Sequence, residues 1–233
     1  MSAARVAQIL ADVMAGSPDG TTLPHRLVTS CAADLPVTGA GLAWMTDDGP
    51  AGTFAATDGP ARVMEELQFS LGEGPCVDSS AMGSPVLQAD LARTGMARWP
   101  AFTAGAIDAG IRAIFALPLQ VGGIRLGVLD LYRDSPGSLE REDLTDALSY
   151  ADAATVILLH LQTDAATDVM QLHTAEPMDY HAEVHQATGM TAAQLELSLA
   201  HSLALLRAYA YAAERLVIDV ANDVVARRLR LEK

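Results

Sequence analysis

Apolar side chains recur at helical spacing from the start of the chain. Val6, Ile9, Leu10, Val13 and Met14 form one stripe, and Gly16-Ser17-Pro18 stops it. A second helix is predicted from Thr22 to Leu35, with Leu23, Leu27, Val28 and Cys31 on its apolar side. The period then shortens. Ala40 to Met45 reads as a strand, Asp47-Asp48-Gly49-Pro50 as a turn, and Gly52 to Ala56 as the hairpin partner. Ala61 to Leu71 returns to helix, and Gly72-Glu73-Gly74-Pro75 breaks it. Cys76 to Leu91 is mixed, with a short strand at Pro85 to Gln88, and Trp99 to Ala109 is helical again.

Two near-continuous apolar runs follow, Ile111 to Val121 and Ile124 to Arg133, joined at Gly122-Gly123. They predict a hairpin of strands that are central or covered on both faces. Ser138 is the expected N-cap of a long helix, with acids in its first turn. Leu144, Leu148, Ala151, Thr155, Leu158, Leu159 and Gln162 carry its stripe, and it is expected to reach about His173. That stripe suits packing on the sheet, pairing with a second chain, or both. Ala175-Glu176-Pro177 is the expected boundary, dividing the chain into 1–174 and 179–233.

The tail reads as three short helices. The first runs from Asp179 to about Leu195. Ser198 caps a second, Leu199 to Ala210, with Leu203, Leu206 and Ala210 on one side. The third is Leu216 to Leu231, with Val217, Val220, Val224, Val225 and Leu229 apolar. Arg227, Arg228 and Arg230 are expected at its end, where cations complement the helix dipole. The fold class is therefore α+β: an antiparallel sheet with flanking helices, a long connecting helix, and a C-terminal three-helix domain.

Composition narrows the chemistry. The 233 residues are 50% hydrophobic, ample for a packed core, and the formal net charge is −14. The last 55 residues carry seven acidic and six basic side chains, so the excess acid lies ahead of the tail. An acidic chain meets nucleic acid only through local cations. The single lysine is Lys233. A phosphate-binding loop, a kinase strand lysine and a Schiff-base lysine are thereby excluded or disfavoured. No apolar run has transmembrane length, and two cysteines imply no disulfide framework, so a cytoplasmic protein is expected.

Catalytic and metal-binding patterns are absent. His181 and His185 are spaced i, i+4 but lack the further ligands a zinc site needs, and they are read as surface or interface side chains. No G-x-S-x-G occurs. The acidic pairs Glu65-Glu66 and Asp47-Asp48 read as solvated charge. No enzyme and no metal site are expected.

Leu71-Gly-Glu-Gly-Pro-Cys76-Val-Asp78, Asp90-Leu91, Arg98-Trp-Pro-Ala-Phe102, and Ile111 to Val121 with Gly127-Val-Leu-Asp-Leu-Tyr132 resemble a GAF domain over about Thr22 to Gln162. The resemblance implies a regulatory module that can enclose a small molecule beneath the segment Gly72 to Phe102. Cys76, Asp78, Trp99 and Phe102, with Phe115 on the facing strand, are the pocket candidates, each weighed against a place in the core. Cys76 at a helix start invites a redox role, against the plainer alternative of a buried thiol. Nothing specifies a haem or a flavin, and the cofactor is left unknown.

The tail residues Val184-His-Gln-Ala187-Thr-Gly189-Met190, Ser198, Leu205-Leu-Arg207-Ala-Tyr-Ala210, Leu216 and Asp219 to Val225 resemble the ANTAR domain, a three-helix RNA-binding module of transcription antiterminators. A GAF domain followed by ANTAR is a familiar actinobacterial regulator plan, and the alanine- and arginine-rich, lysine-poor composition suits a GC-rich genome. The resemblance implies a homodimer that binds structured RNA hairpins of a nascent transcript. The RNA-binding candidates are Ala187, Gly189, Met190, Arg207, Tyr209 and Ala210, with Tyr211 as an alternative stacking ring. Thr188 and Gln194 stand where the family commonly has basic residues, and Ser202 where it often has alanine. A rival expectation is a protein-interaction regulator whose tail has lost RNA binding. Exposure of Arg207, Gly189 and Ala187 discriminates the two.

Overall fold

The structure is a computed structural model that describes residues 3–15, 21–46, 49–167 and 181–232. Two helices open the chain, α1 (Ala3–Ala15) and α2 (Leu23–Asp34), followed by the hairpin β1 (Gly39–Thr46) and β2 (Gly49–Ala56). Thr22 caps α2 by accepting the His25 amide. Helix α3 (Gly59–Leu71) starts at Asp58, whose carboxylate accepts the Ala61 amide at 2.8 Å. Gly72 ends it in the left-handed region at φ 65°, a conformation glycine adopts without strain.

The mixed segment resolves into α4 (Pro75–Met82), β3 (Val86–Gln88), α5 (Leu91–Arg98) and α6 (Pro100–Asp108). The sequence pattern merges or misses α4 and α5, because each is only eight residues long and too short for a periodic stripe. Strands β4 (Ala113–Val121) and β5 (Ile124–Arg133) then form the expected hairpin. Helix α7 (Arg141–Thr167) begins three residues after Ser138, so Ser138 does not cap it. The expected continuation to His173 and the boundary at 175–177 lie outside the described residues.

The sheet is antiparallel throughout, in the order β2-β1-β5-β4-β3. Both faces are covered. Ala113, Phe115, Leu117 and Leu119 of β4, with Leu129 and Leu131 of β5, pack under α1, α2 and α7. Ile114 and Ala116, with Val128 and Tyr132, pack under α3, α4, α5 and α6. Alternation of side chains along a strand, with apolar residues on both faces, explains the continuous apolar runs.

Three C-terminal helices follow: α8 (Ala182–Leu195), α9 (Leu199–Ala212) and α10 (Val217–Val225). They enclose a core of Val184, Ala187, Leu203, Leu206, Val220 and Val224. Ser198 caps α9 by accepting the His201 amide. Helix α10 stops six residues before the expected Leu231, and Arg227 turns left-handed at φ 57°. The terminal arginines therefore lie beyond the helix rather than in its last turn. Arg228 and Arg215 both bond Asp223, which ties this end into a local network.

Candidate functional site

The layer beneath α3–α6 is where the expected pocket residues should gather. Cys76, Trp99 and Phe102 do gather there, all buried in one cluster. Asp78 sits at the rim, bonded by Arg98 at 2.6 Å and by the Trp99 indole at 3.2 Å, with the Arg98 guanidinium over the indole. Phe115 is a correction. It belongs to the opposite layer, because β4 turns odd-numbered positions away from α3–α6. The three buried candidates are core side chains packed against one another, which is the plainer of the two expectations.

The same layer holds a polar cluster that the sequence pattern passed over. Glu65 and Gln68 of α3, Asp130 of β5 and Cys76 of α4 are all at most 3% exposed. The Gln68 amide donates to Asp130 Oδ2 at 3.2 Å, and the Cys76 backbone amide donates to Gln68 Oε1 at 2.7 Å. Glu65 is thus not solvated charge, as its place in an acidic pair suggested. Gly41 makes its burial possible, since a Cβ there would come within 2.0 Å of Glu65 Oε1. Burial pushes Asp130 up to about 7, against hydrogen bonds from Cys76, Gln68 and Glu65 that pull it down. Burial and the neighbouring Asp130 raise Glu65 well above the ordinary carboxyl range. Both shifts favour the neutral carboxyl, the form that costs least to keep in a core, and Glu65 Oε1 and Asp130 Oδ1 have no hydrogen-bond partner among the described residues. Cys76 is pushed up as well, by burial and then by both carboxyls. Its place at a helix start does not offset this, and the plainer expectation of a buried core thiol fits its surroundings. The signal that could have found the cluster is a lone acid, Asp130, inside an apolar strand.

A second arrangement joins α3 to the tail. Phe69, in the last turn of α3, is 2% exposed, yet it belongs to the tail's core rather than to either sheet layer. The His181 ring stacks on it, centroid to centroid at 3.5 Å and 5° from parallel. His185 meets it edge-on at 6.5 Å, and the Arg207 guanidinium carbon lies 5.4 Å from its centroid. Backbone contacts complete the seam. His185 Nε2 bonds the Ala51 carbonyl at 2.8 Å, and Arg207 Nη2 reaches the Pro50 carbonyl at 3.5 Å. Gly72 lets Arg207 lie close, since a Cβ there would be 3.0 Å from Nη1. Burial lowers His181 to about 4 and Arg207 to about 10. Arg207 Nε has no hydrogen-bond partner, and no carboxylate of the described residues pairs with this guanidinium.

The remaining tail candidates divide. Ala187 and Ala210 are buried in the three-helix core. Met190 is partly buried against it, while Tyr209 and Tyr211 are exposed. Gly189 faces open space among the described residues. Thr188 is buried, with its hydroxyl bonding the Val184 carbonyl, and Gln194 bonds the Leu231 carbonyl. Those two positions therefore serve internal structure.

Among the described residues no helix is long and apolar enough to cross a membrane, and no cluster of three or more His, Cys, Asp or Glu side chains could hold a metal ion. A five-stranded antiparallel sheet between two helical layers defines an α+β module of the signal-sensing kind. The family model for the GAF domain matches residues 26–159, more than half of the chain, and the chain belongs to that family. The GAF domain of a phosphoenolpyruvate-protein phosphotransferase from Coxiella burnetii is similar at 18% identity and TM-score 0.52, covering 70% of this chain and 95% of that one. The corresponding Acinetobacter domain is similar at 11% identity and TM-score 0.50, covering 70% and 97%. At such identities the likeness concerns the fold. No curated protein matches the chain. The family match ends before the tail.

Proposed function

We propose that the chain is a signal-responsive, RNA-binding regulator of transcription antitermination. It works by binding rather than by catalysis. The GAF domain receives the signal, and an ANTAR-like tail binds hairpins of a nascent transcript in the cytoplasm, with a homodimer as the working unit. The observation that carries this is Arg207. It matches the arginine of the antiterminator pattern, its charge has no carboxylate partner among the described residues, and it lies against Phe69, the ring that two histidines also meet. A desolvated guanidinium next to flat rings suits phosphate and an unpaired base. The chain's net charge of −14 makes such a local cation necessary for any RNA contact.

The test is titration of the full chain against two-hairpin leader RNA across a salt series. Specific hairpins should bind at least about tenfold more tightly than unrelated ones, with Arg207→Ala removing most of that margin. Two chains should load per RNA. Equal affinity for unrelated hairpins, indifferent to Arg207→Ala, sinks the RNA claim.

One observation favours the rival, a protein-interaction regulator. The Arg207 face already packs on a protein surface, that of its own GAF domain. The same titration separates the two readings.

A further inference from the structure

Phe69 is oddly matched to its surroundings. A phenyl ring is best buried among aliphatic side chains, where nothing polar loses water. Here two imidazoles and a guanidinium frame it. The ring offers the guanidinium only its π-face, and among the described residues the buried Arg207 Nε makes no hydrogen bond. Among the described residues Arg207's one polar contact is the long 3.5 Å approach to the Pro50 carbonyl. The geometry, by contrast, is that of a base stack: two flat rings 3.5 Å apart and 5° from parallel. Proteins hold unpaired nucleobases on aromatic or histidine rings and on arginine planes in this way. A base also carries what a phenyl ring lacks, acceptor atoms at its edge and a phosphate beside it.

The geometry points to His181 and Arg207 as a stacking slot for one unpaired nucleobase of a hairpin loop, with Phe69 of the GAF domain occupying that slot in place of the base. This rests on the RNA-binding reading above and adds to it a residue, His181, and a competitor, Phe69. RNA and sensor domain cannot fill the slot together, so binding requires α3 to release the tail. Helix α3 is suited to relay a signal. Glu65 and Gln68 on its inner side hold the buried cluster with Asp130 and Cys76, while Phe69 on its outer side holds the tail.

The experiment uses the full chain and two-hairpin RNAs with fully randomised loops, enriched by binding. Emptying the slot with Phe69→Ala should raise affinity for the enriched RNAs by about tenfold or more, the factor by which a closed form hides the competent one. Adding His181→Ala to that variant should lower affinity roughly five- to a hundredfold, the range for one stacked base. A 2-aminopurine placed in the enriched loop should lose fluorescence on binding Phe69→Ala and keep it on binding the double variant. Phe69→Leu, which retains apolar volume but removes the flat ring, guards against a folding defect and should behave like Phe69→Ala. If RNA is enriched but both Phe69 variants, folded by circular dichroism, bind no better than the parent chain, the slot is overturned and the RNA reading stands. If no variant enriches any RNA, the RNA reading fails and the slot fails with it.

Discussion

Two polar clusters, one buried and one at a partly exposed seam, lie on opposite sides of the same helix, and they differ in sign. Inside the sensor, Glu65 and Asp130 form an acidic pair closed by Gln68 and Cys76. At the seam, His181, His185 and Arg207 form a basic group around Phe69. Each carries groups whose charged form burial disfavours, so each depends on pH. The acidic pair lies between two sheet-bound elements and is part of what makes the sensor layer. The basic group joins two bodies that each possess a core without it. The first cluster can be disturbed only by disturbing the fold, whereas the second can be broken by letting the tail go.

The sharpest way to break this comparison is at the sensor core. Phe102→Ala, at a fully buried position, should cost about 3–5 kcal/mol of unfolding free energy, read by urea denaturation. The tail-side signal, hydrogen exchange in α8 to α10, should follow only through undocking. A loss under 1 kcal/mol would show that the layer is not one cooperative unit.

A pH series should move the two clusters in opposite directions. Asp130 and Glu65 sit above their unfolded values of about 4, so their favourable contribution is complete only below about pH 4. It is lost as pH rises through about 7. The melting temperature of the sensor should therefore fall as pH rises from about 4 through about 7, and Asp130→Asn should flatten that slope. His181 sits below its unfolded value of about 6.5, so docking should be intact above that pH and weaken as pH falls toward 4. Glu66, 3.7 Å from His181, opposes this only partly. Exchange protection around Phe69 and α9, corrected for intrinsic rates, should drop between pH 7 and 5. Slopes of the same sign in both regions would remove the distinction between them.

The smallest expected effect sharpens the boundary. Ser198→Ala removes the cap of α9 and should cost about 1 kcal/mol, confined to the tail. Faster exchange in α9 with an unchanged sensor melt is the expected outcome. An equal shift in both would mean that they unfold together.

Much of the fold was legible. The apolar runs of β4 and β5, the Gly122-Gly123 turn and the Ser198 cap are local signals, and each stands where the pattern put it, whereas Ser138 does not cap α7. The candidate sites were less legible. Phe115 was paired with Trp99 because strands with two apolar faces do not announce which face meets which helix. Glu65 was hidden by its neighbour Glu66, since adjacent acids on a helix usually mean a wet face, while here α3 turns one inward and leaves the other half-exposed. Arg207 was singled out through the antiterminator resemblance, but its contact with Pro50 bridges 157 residues of sequence and no local pattern could show it.

The sequence by itself determined most of the longer elements, the α+β class and the GAF resemblance, because periodicity and turns act over a few residues. Tertiary structure alone decided that a glutamate and an aspartate share a core, that Phe69 serves the tail rather than the sensor, and that the Arg207 face is covered. Those outcomes depend on which surfaces meet after the chain folds back on itself. Burial then fixes the charge of each group through desolvation, a property that no stretch of sequence carries alone.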